Sequence, residues 1–152
     1  MRALTPTLFV VLVGCAGGPA SLELGTGAEA FGSIEDGQDL PMIEGAQGGW
    51  HVWVAAHAES IDPDGARFSV VAYPEEAGRP RQTTAVTGHF RPAASGYELV
   101  GLAAVFSAPE CYQDRRTVLE ATLTDGSGVV LTDRRVVVPR WPTPIGTCAT
   151  EP

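Results

Sequence analysis

The chain has 152 residues, a formal charge of −8, and neither lysine nor asparagine. That acidic balance opposes recognition of nucleic acid and charge-driven docking on anionic lipid. The lack of lysine excludes Schiff-base and Walker-type nucleotide chemistry, both of which need its amine.

The chain opens with one positive charge, Arg2, and no acid before the apolar run Leu8-Phe9-Val10-Val11-Leu12-Val13, which ends in Gly14-Cys15. A basic start, a short hydrophobic stretch and small residues are the layout of a secretory signal. A transmembrane helix needs about 20 apolar residues, far more than this run supplies. Residues 1–14 therefore read as a cleaved signal peptide. The 138 residues left (152 less 14) suit one domain with a real core. Losing Arg2 moves the formal charge from −8 to about −9.

Leu12-Val13-Gly14-Cys15 resembles the lipobox of bacterial lipoprotein precursors. The resemblance implies that Cys15 is the mature N-terminus and carries fatty acyl chains such as palmitate, with the membrane as its partner. Two or three such chains give stable anchoring. In the sorting system of that family, Ala16 in place of aspartate favours the outer membrane over the inner.

From Cys15 to Gly37 the composition is rich in Gly, Ala and Glu, which reads as a flexible tether, ordered in part near Phe31 and Ile34. Some 22 residues of such chain average about 26 Å of reach. The domain is then expected over residues 38–152. Its strands are expected at Leu40–Glu44, Trp50–Glu59, Arg67–Tyr73, Gln82–Phe90, Tyr97–Phe106, Thr117–Thr124 and Val129–Pro139. Asp62-Pro63-Asp64-Gly65 reads as a type I turn. Ala93-Ala94-Ser95-Gly96 and Asp125-Gly126-Ser127-Gly128 read as hairpin loops, and Pro139, Pro142 and Pro144 as stops. About seven strands at this spacing predict an all-β, two-sheet sandwich of immunoglobulin or fibronectin-III type, with a barrel or jelly roll as the alternative.

The segment Gly45-Ala46-Gln47-Gly48-Gly49-Trp50-His51 resembles a Gly-x-Gln-Gly-Gly-aromatic-His box of uncharacterised predicted bacterial lipoproteins. The resemblance spans about a dozen residues and implies no activity. Locally the segment predicts a tight turn, because glycine adopts positive φ without a Cβ penalty.

Cys111 and Cys148 remain beyond Cys15, outside any CxxC motif. In an exported chain an even pair predicts a disulfide, the alternative being two free thiols. A loop of 37 positions (148 less 111) is worth about 3–4 kcal/mol in the chain-entropy model.

His51 and His57, six apart, share one face of their strand, but about 20 Å of extended chain keeps them from sharing a metal. His89 could meet one of them across strands, with Met42 as a soft copper ligand. Glu35, Asp36 and Asp39, and Asp62 with Asp64, could hold calcium, although solvated turns account for both groups. No Gly-x-Ser-x-Gly elbow is present; paired carboxylates would meet only in space. Alternation on the second strand puts Trp50, Val52, Val54 and Ala56 on the core face, and His51, Trp53, Ala55 and His57 outside. His51, Trp53 and His57 thus form the candidate binding surface, since tryptophan is enriched at interface hot spots. The competing reading is that the tether or Arg140-Trp141-Pro142 covers Trp53. The expectation is a non-enzymatic binding module with an envelope protein as partner and neither cofactor nor metal. A structural accessory subunit, a metal-binding protein and an enzyme are the alternatives.

Overall fold

The computed structural model describes residues 18–46, 48–76, 81–87 and 89–149; Cys15 and Gln47 lie outside them. The described residues form β1 (Ser21–Thr26), β2 (Gly32–Ser33), β3 (Gln38–Pro41), β4 (Ile43–Glu44), β5 (Trp50–Glu59) and β6 (Arg67–Pro74). Then follow β7 (Gln82–Thr87), β8 (Arg91–Pro92), β9 (Tyr97–Phe106), β10 (Thr117–Thr124) and β11 (Val130–Arg140), with one short 3-10 turn at Pro109–Cys111.

Two sheets result. One has the order β2-β1-β5-β9-β8, with β4 pairing β5; the other has the order β3-β11-β10-β6-β7. Neither closes into a barrel. Long strands with alternating apolar residues cannot bury their faces alone, so the two sheets stack as a sandwich. The order β1-β5-β9-β8 opposite β11-β10-β6-β7 is the A-B-E-D and G-F-C-C′ arrangement of immunoglobulin domains. The core holds Leu24, Val52, Val54, Phe68, Phe106 and Leu119, all at most 1% exposed. Fully burying a side chain of this size contributes about 1.5–3 kcal/mol.

The N-terminal part departs from the expected tether. Ser21–Thr26 is a strand, paired antiparallel with β5 from Ser21↔Glu59 to Gly25↔Ala55. Leu24 is fully buried, and Ile34 is 4% exposed. The β-domain thus includes residues that composition alone assigned to a linker. Leu22 and Leu24 alternate as a strand requires, and β5 supplies the hydrogen bonds that a Gly- and Glu-rich segment could not make by itself.

The expected strand Leu40–Glu44 breaks at Met42 and changes sheets. Gln38–Pro41 pairs in parallel with β11, whereas Ile43–Glu44 pairs antiparallel with β5. Met42 sits between them, 1% exposed, and its N–H donates to the Arg140 carbonyl at 2.8 Å.

The turns show similar detail. The Asp62–Gly65 turn closes one residue later than expected, with the Ala66 N–H on the Pro63 carbonyl at 3.3 Å and Gly65 at φ 74°. The β11 strand runs through Pro139 to Arg140 rather than stopping there, because beyond Val137 it pairs with β3. In β9 an extra residue opposite β5 forms a bulge between the pairs Val54↔Leu102 and Ala56↔Leu99. Gly101 in that bulge has φ 73°, which favours glycine, and its N–H bonds the Gly27 carbonyl at 3.0 Å.

Candidate functional site

Period-2 geometry places His51, Trp53 and His57 as expected on the outer face of the first sheet, while Val52, Val54, Ala56 and Ala58 join the core. Trp50 departs from the core expectation: at the start of β5 it is half-buried, packed against the core from outside it.

His51 and Trp53 meet edge to face with ring centroids 4.6 Å apart. Val105, the register partner of His51 on β9, is 44% exposed beside them. His51 Nε2 is buried without a hydrogen-bond partner. Burial disfavours the charged imidazolium and lowers the pKa of His51. A shallow depression of about 370 Å³ lies against Trp50, His51 and Val105, walled by Gly45, Ala46, Gly48 and Gly49. The glycine-rich box forms the tight turn expected of it: the Gly48 N–H reaches the Gly45 carbonyl and the Gly45 N–H the Gly49 carbonyl, both at 2.9 Å. Gly48 and Gly49 take φ of 77° and 94°.

His57 belongs to a separate group. Its ring nitrogens lie 3.6 Å from Glu59 and 3.6 Å from Glu98. Phe31 approaches its ring at 5.6 Å. Phe31 lies over Gly25, where any Cβ would overlap the aromatic ring. The segment expected to be tether does fold onto this face: Phe31 lies at Gly25 and His57, and the Thr26 hydroxyl donates to the Trp53 carbonyl at 2.7 Å.

The described C-terminal tail is held at Trp50 and at the β9–β10 connection. Trp141 packs edge-on against Trp50, with centroids 4.5 Å apart. Cys111 and Cys148 are joined, Cα atoms 4.6 Å apart, tying the tail to the β9–β10 connection. Gln113 reinforces this tie. Its amide donates to the carbonyls of Trp141 (3.1 Å) and Thr143 (2.9 Å), and its Oε1 accepts the Ile145 N–H at 2.9 Å.

The metal-ligand readings find other roles for their residues. Met42 is core, and His89 is an exposed loop residue. Asp36 accepts the Val136 N–H at 2.9 Å, Asp39 pairs with Arg140 at 2.8 Å, and Asp62 caps its own turn through the Asp64 N–H at 3.1 Å. Among the described residues no group of three or more His, Cys, Asp or Glu is placed to hold a metal ion.

Sequence reasoning did not single out Asp125 or Asp133. Asp125, 6% exposed, accepts the N–H groups of Asp62 (3.0 Å), Ser127 (3.0 Å) and Val129 (2.8 Å), and the Ser127 hydroxyl (2.7 Å). Those bonds, that from Asp62 first, hold its carboxyl below the usual range. An Asp opening an Asp-Gly-Ser-Gly turn is the available signal. Asp133 accepts the Leu24 N–H at 2.7 Å and so links β11 to β1 across the sheets. No local pattern announces that.

No protein-family model matches the chain, and no curated protein and no solved structure matches it.

Proposed function

We propose that this is an exported lipoprotein, held on a membrane by acyl chains on Cys15, whose sandwich is a non-enzymatic module binding an envelope protein. The pairing of Cys111 with Cys148 carries the reading. Disulfides persist in oxidising compartments outside the cytoplasm. The pairing also leaves Cys15 as the odd cysteine of three, at the end of the apolar run. Among the described residues no helix is long and apolar enough to cross a membrane, so lipid on Cys15 is the attachment that the reading requires.

The binding surface is the patch around Trp53, His51 and Val105. Trp53 is half-buried against His51, and Val105 adds exposed apolar area beside that pair. A rigid sheet presenting a tryptophan costs little side-chain entropy on association. The partner is read as an envelope protein rather than nucleic acid, given the acidic chain.

The test is intact-mass analysis and fractionation of the protein from its native envelope. A mature chain beginning at Cys15 with added acyl mass, and a Cys15→Ser variant lost from the membrane fraction, are expected. Wild-type protein found soluble and cleaved elsewhere overturns the reading.

A further inference from the structure

Given lipid on Cys15, the fold also sets which end of the domain faces the bilayer. Cys15 and Ser21 are six positions apart (21 less 15), and an extended chain spans at most about 3.6 Å per residue. The anchor therefore lies within about 22 Å of the first residue of β1. That residue cannot peel away cheaply, since β1 pairs with β5 along five positions and buries Leu24.

The hydrogen bond between Leu24 and Asp133 then fixes a level in the molecule. Ser21 precedes Leu24 by three residues (24 less 21), and Val130 precedes Asp133 by three (133 less 130). Both strands start at the same end, because Ser21 pairs Glu59 at the close of β5, whereas Val130 pairs Thr124 at the close of β10. The loops after those two strands are bonded to each other: the Gly126 N–H meets the Asp62 carbonyl at 2.8 Å. Ser21 and Val130 are therefore neighbours at one end, each about 10 Å along its strand from the Leu24–Asp133 bond.

That end also carries most of the exposed large apolar surface. Among the described residues the exposed large hydrophobics are Val105, Val129 and Val130, the last two 43% and 59% exposed. Asp125 holds the hairpin that presents them in a fixed shape through its bonds to Val129, Ser127 and Asp62. A rigid apolar hairpin tip beside a short lipid tether is placed to enter the headgroup boundary, where apolar area is removed from water. The nearby carboxylates Glu59, Asp62 and Asp64 add no attraction to anionic headgroups, so the contact rests on apolar area.

We infer that the Asp125–Val130 hairpin rests on the lipid bilayer beside the anchor, as a second membrane contact. The opposite end, with the Gly45–Gly49 turn, Trp50–Trp141 and the Cys111–Cys148 bridge, points away. This inference rests on the lipid-anchor reading.

The experiment uses the full lipidated chain in phosphatidylcholine vesicles, with a photoreactive phenylalanine analogue replacing Val130 or, separately, Ala46. Lipid adducts by mass are expected from position 130 and not from 46. Moving the same probe to a chain with about twenty Gly and Ser residues inserted after Ala16 is expected to cut the adduct at 130 several-fold, because effective concentration falls with linker length. Adducts equal at both positions, stronger at 46, or absent from both in vesicle-bound protein overturn the orientation while leaving the anchor intact. A chain without acyl mass that fails to bind vesicles overturns both. Val130→Asp, exposed and therefore compatible with folding, is expected to lose the hairpin contact, read as reduced adduct from a probe at Val129, whose side chain is exposed and whose bond to Asp125 is through the backbone. An unchanged adduct there also overturns it.

Discussion

Trp141 stands edge-on to Trp50, ring centroids 4.5 Å apart, and so holds the C-terminal tail against the first residue of β5. An edge-to-face aromatic pair adds about 0.5–1.5 kcal/mol beyond area burial. Trp141 is half-buried, and its carbonyl is also held by Gln113. Trp141→Ala is expected to lower unfolding stability by about 1–3 kcal/mol in urea titration. A shift below about 0.5 kcal/mol, typical of an exposed site, would show that the tail contributes nothing to the fold.

The bridge between Cys111 and Cys148 closes 37 residues of chain, including all of β10 and β11. Reduction is expected to cost about 2–5 kcal/mol, the range for native disulfides of small secreted domains. Peptide mapping without reductant is expected to recover the two cysteines joined. Alkylation of both thiols in unreduced protein would refute the pairing.

Much of this architecture was legible where strands were long and locally patterned. Trp50–Glu59, Tyr97–Phe106 and Thr117–Thr124 form with the bounds expected from alternation between turn residues. Where strand formation depended on a distant partner, the local pattern gave no warning. Ser21–Thr26 has two core-facing leucines in a polar, glycine-bearing segment and becomes a strand because β5 lies beside it. The switch of sheets at Met42 depends on β11, about a hundred residues downstream, so the apolar run from Leu40 to Ile43 looked continuous. The site divides likewise. Period 2 put His51 and Trp53 on one face, but neither Phe31 against His57 nor the three Gln113 bonds to the tail has a local signature.

Asp125 makes the β10–β11 hairpin sensitive to acid. Hydrogen bonds from Asp62, Ser127 and Val129 favour its ionised form in the fold, so its pKa is depressed there relative to the unfolded chain. The folded state then binds fewer protons, and its stabilising contribution is present above the unfolded pKa. It is lost as pH falls through the lower folded value, in the window below about pH 4. Melting temperature is expected to drop over that window, and Asp125→Asn to be less stable at neutral pH with a shallower drop. An identical acid profile for the variant would remove Asp125 as the source.

Trp53 is the decisive residue for the binding reading, because it stands half-buried on the outer face of β5 beside the exposed Val105. It contacts His51 at 4.6 Å and is half-buried, so part of its area already supports the sheet. Trp53→Ala is expected to cost about 1–2 kcal/mol, well short of the roughly 3–5 kcal/mol of a fully buried tryptophan. Val105 separates folding from binding. It is 44% exposed and lies next to His51 in register. Val105→Glu is expected to leave stability within about 0.5 kcal/mol, because the new carboxylate points into water. A partner docked on this patch would have to bury that charge unpaired, which is strongly unfavourable. Recovery of an envelope partner with detergent-solubilised wild-type protein, and its loss with Val105→Glu at unchanged melting temperature, are therefore expected. Retention of the partner by both variants would place the interface elsewhere and leave Trp53 a structural residue of the sheet.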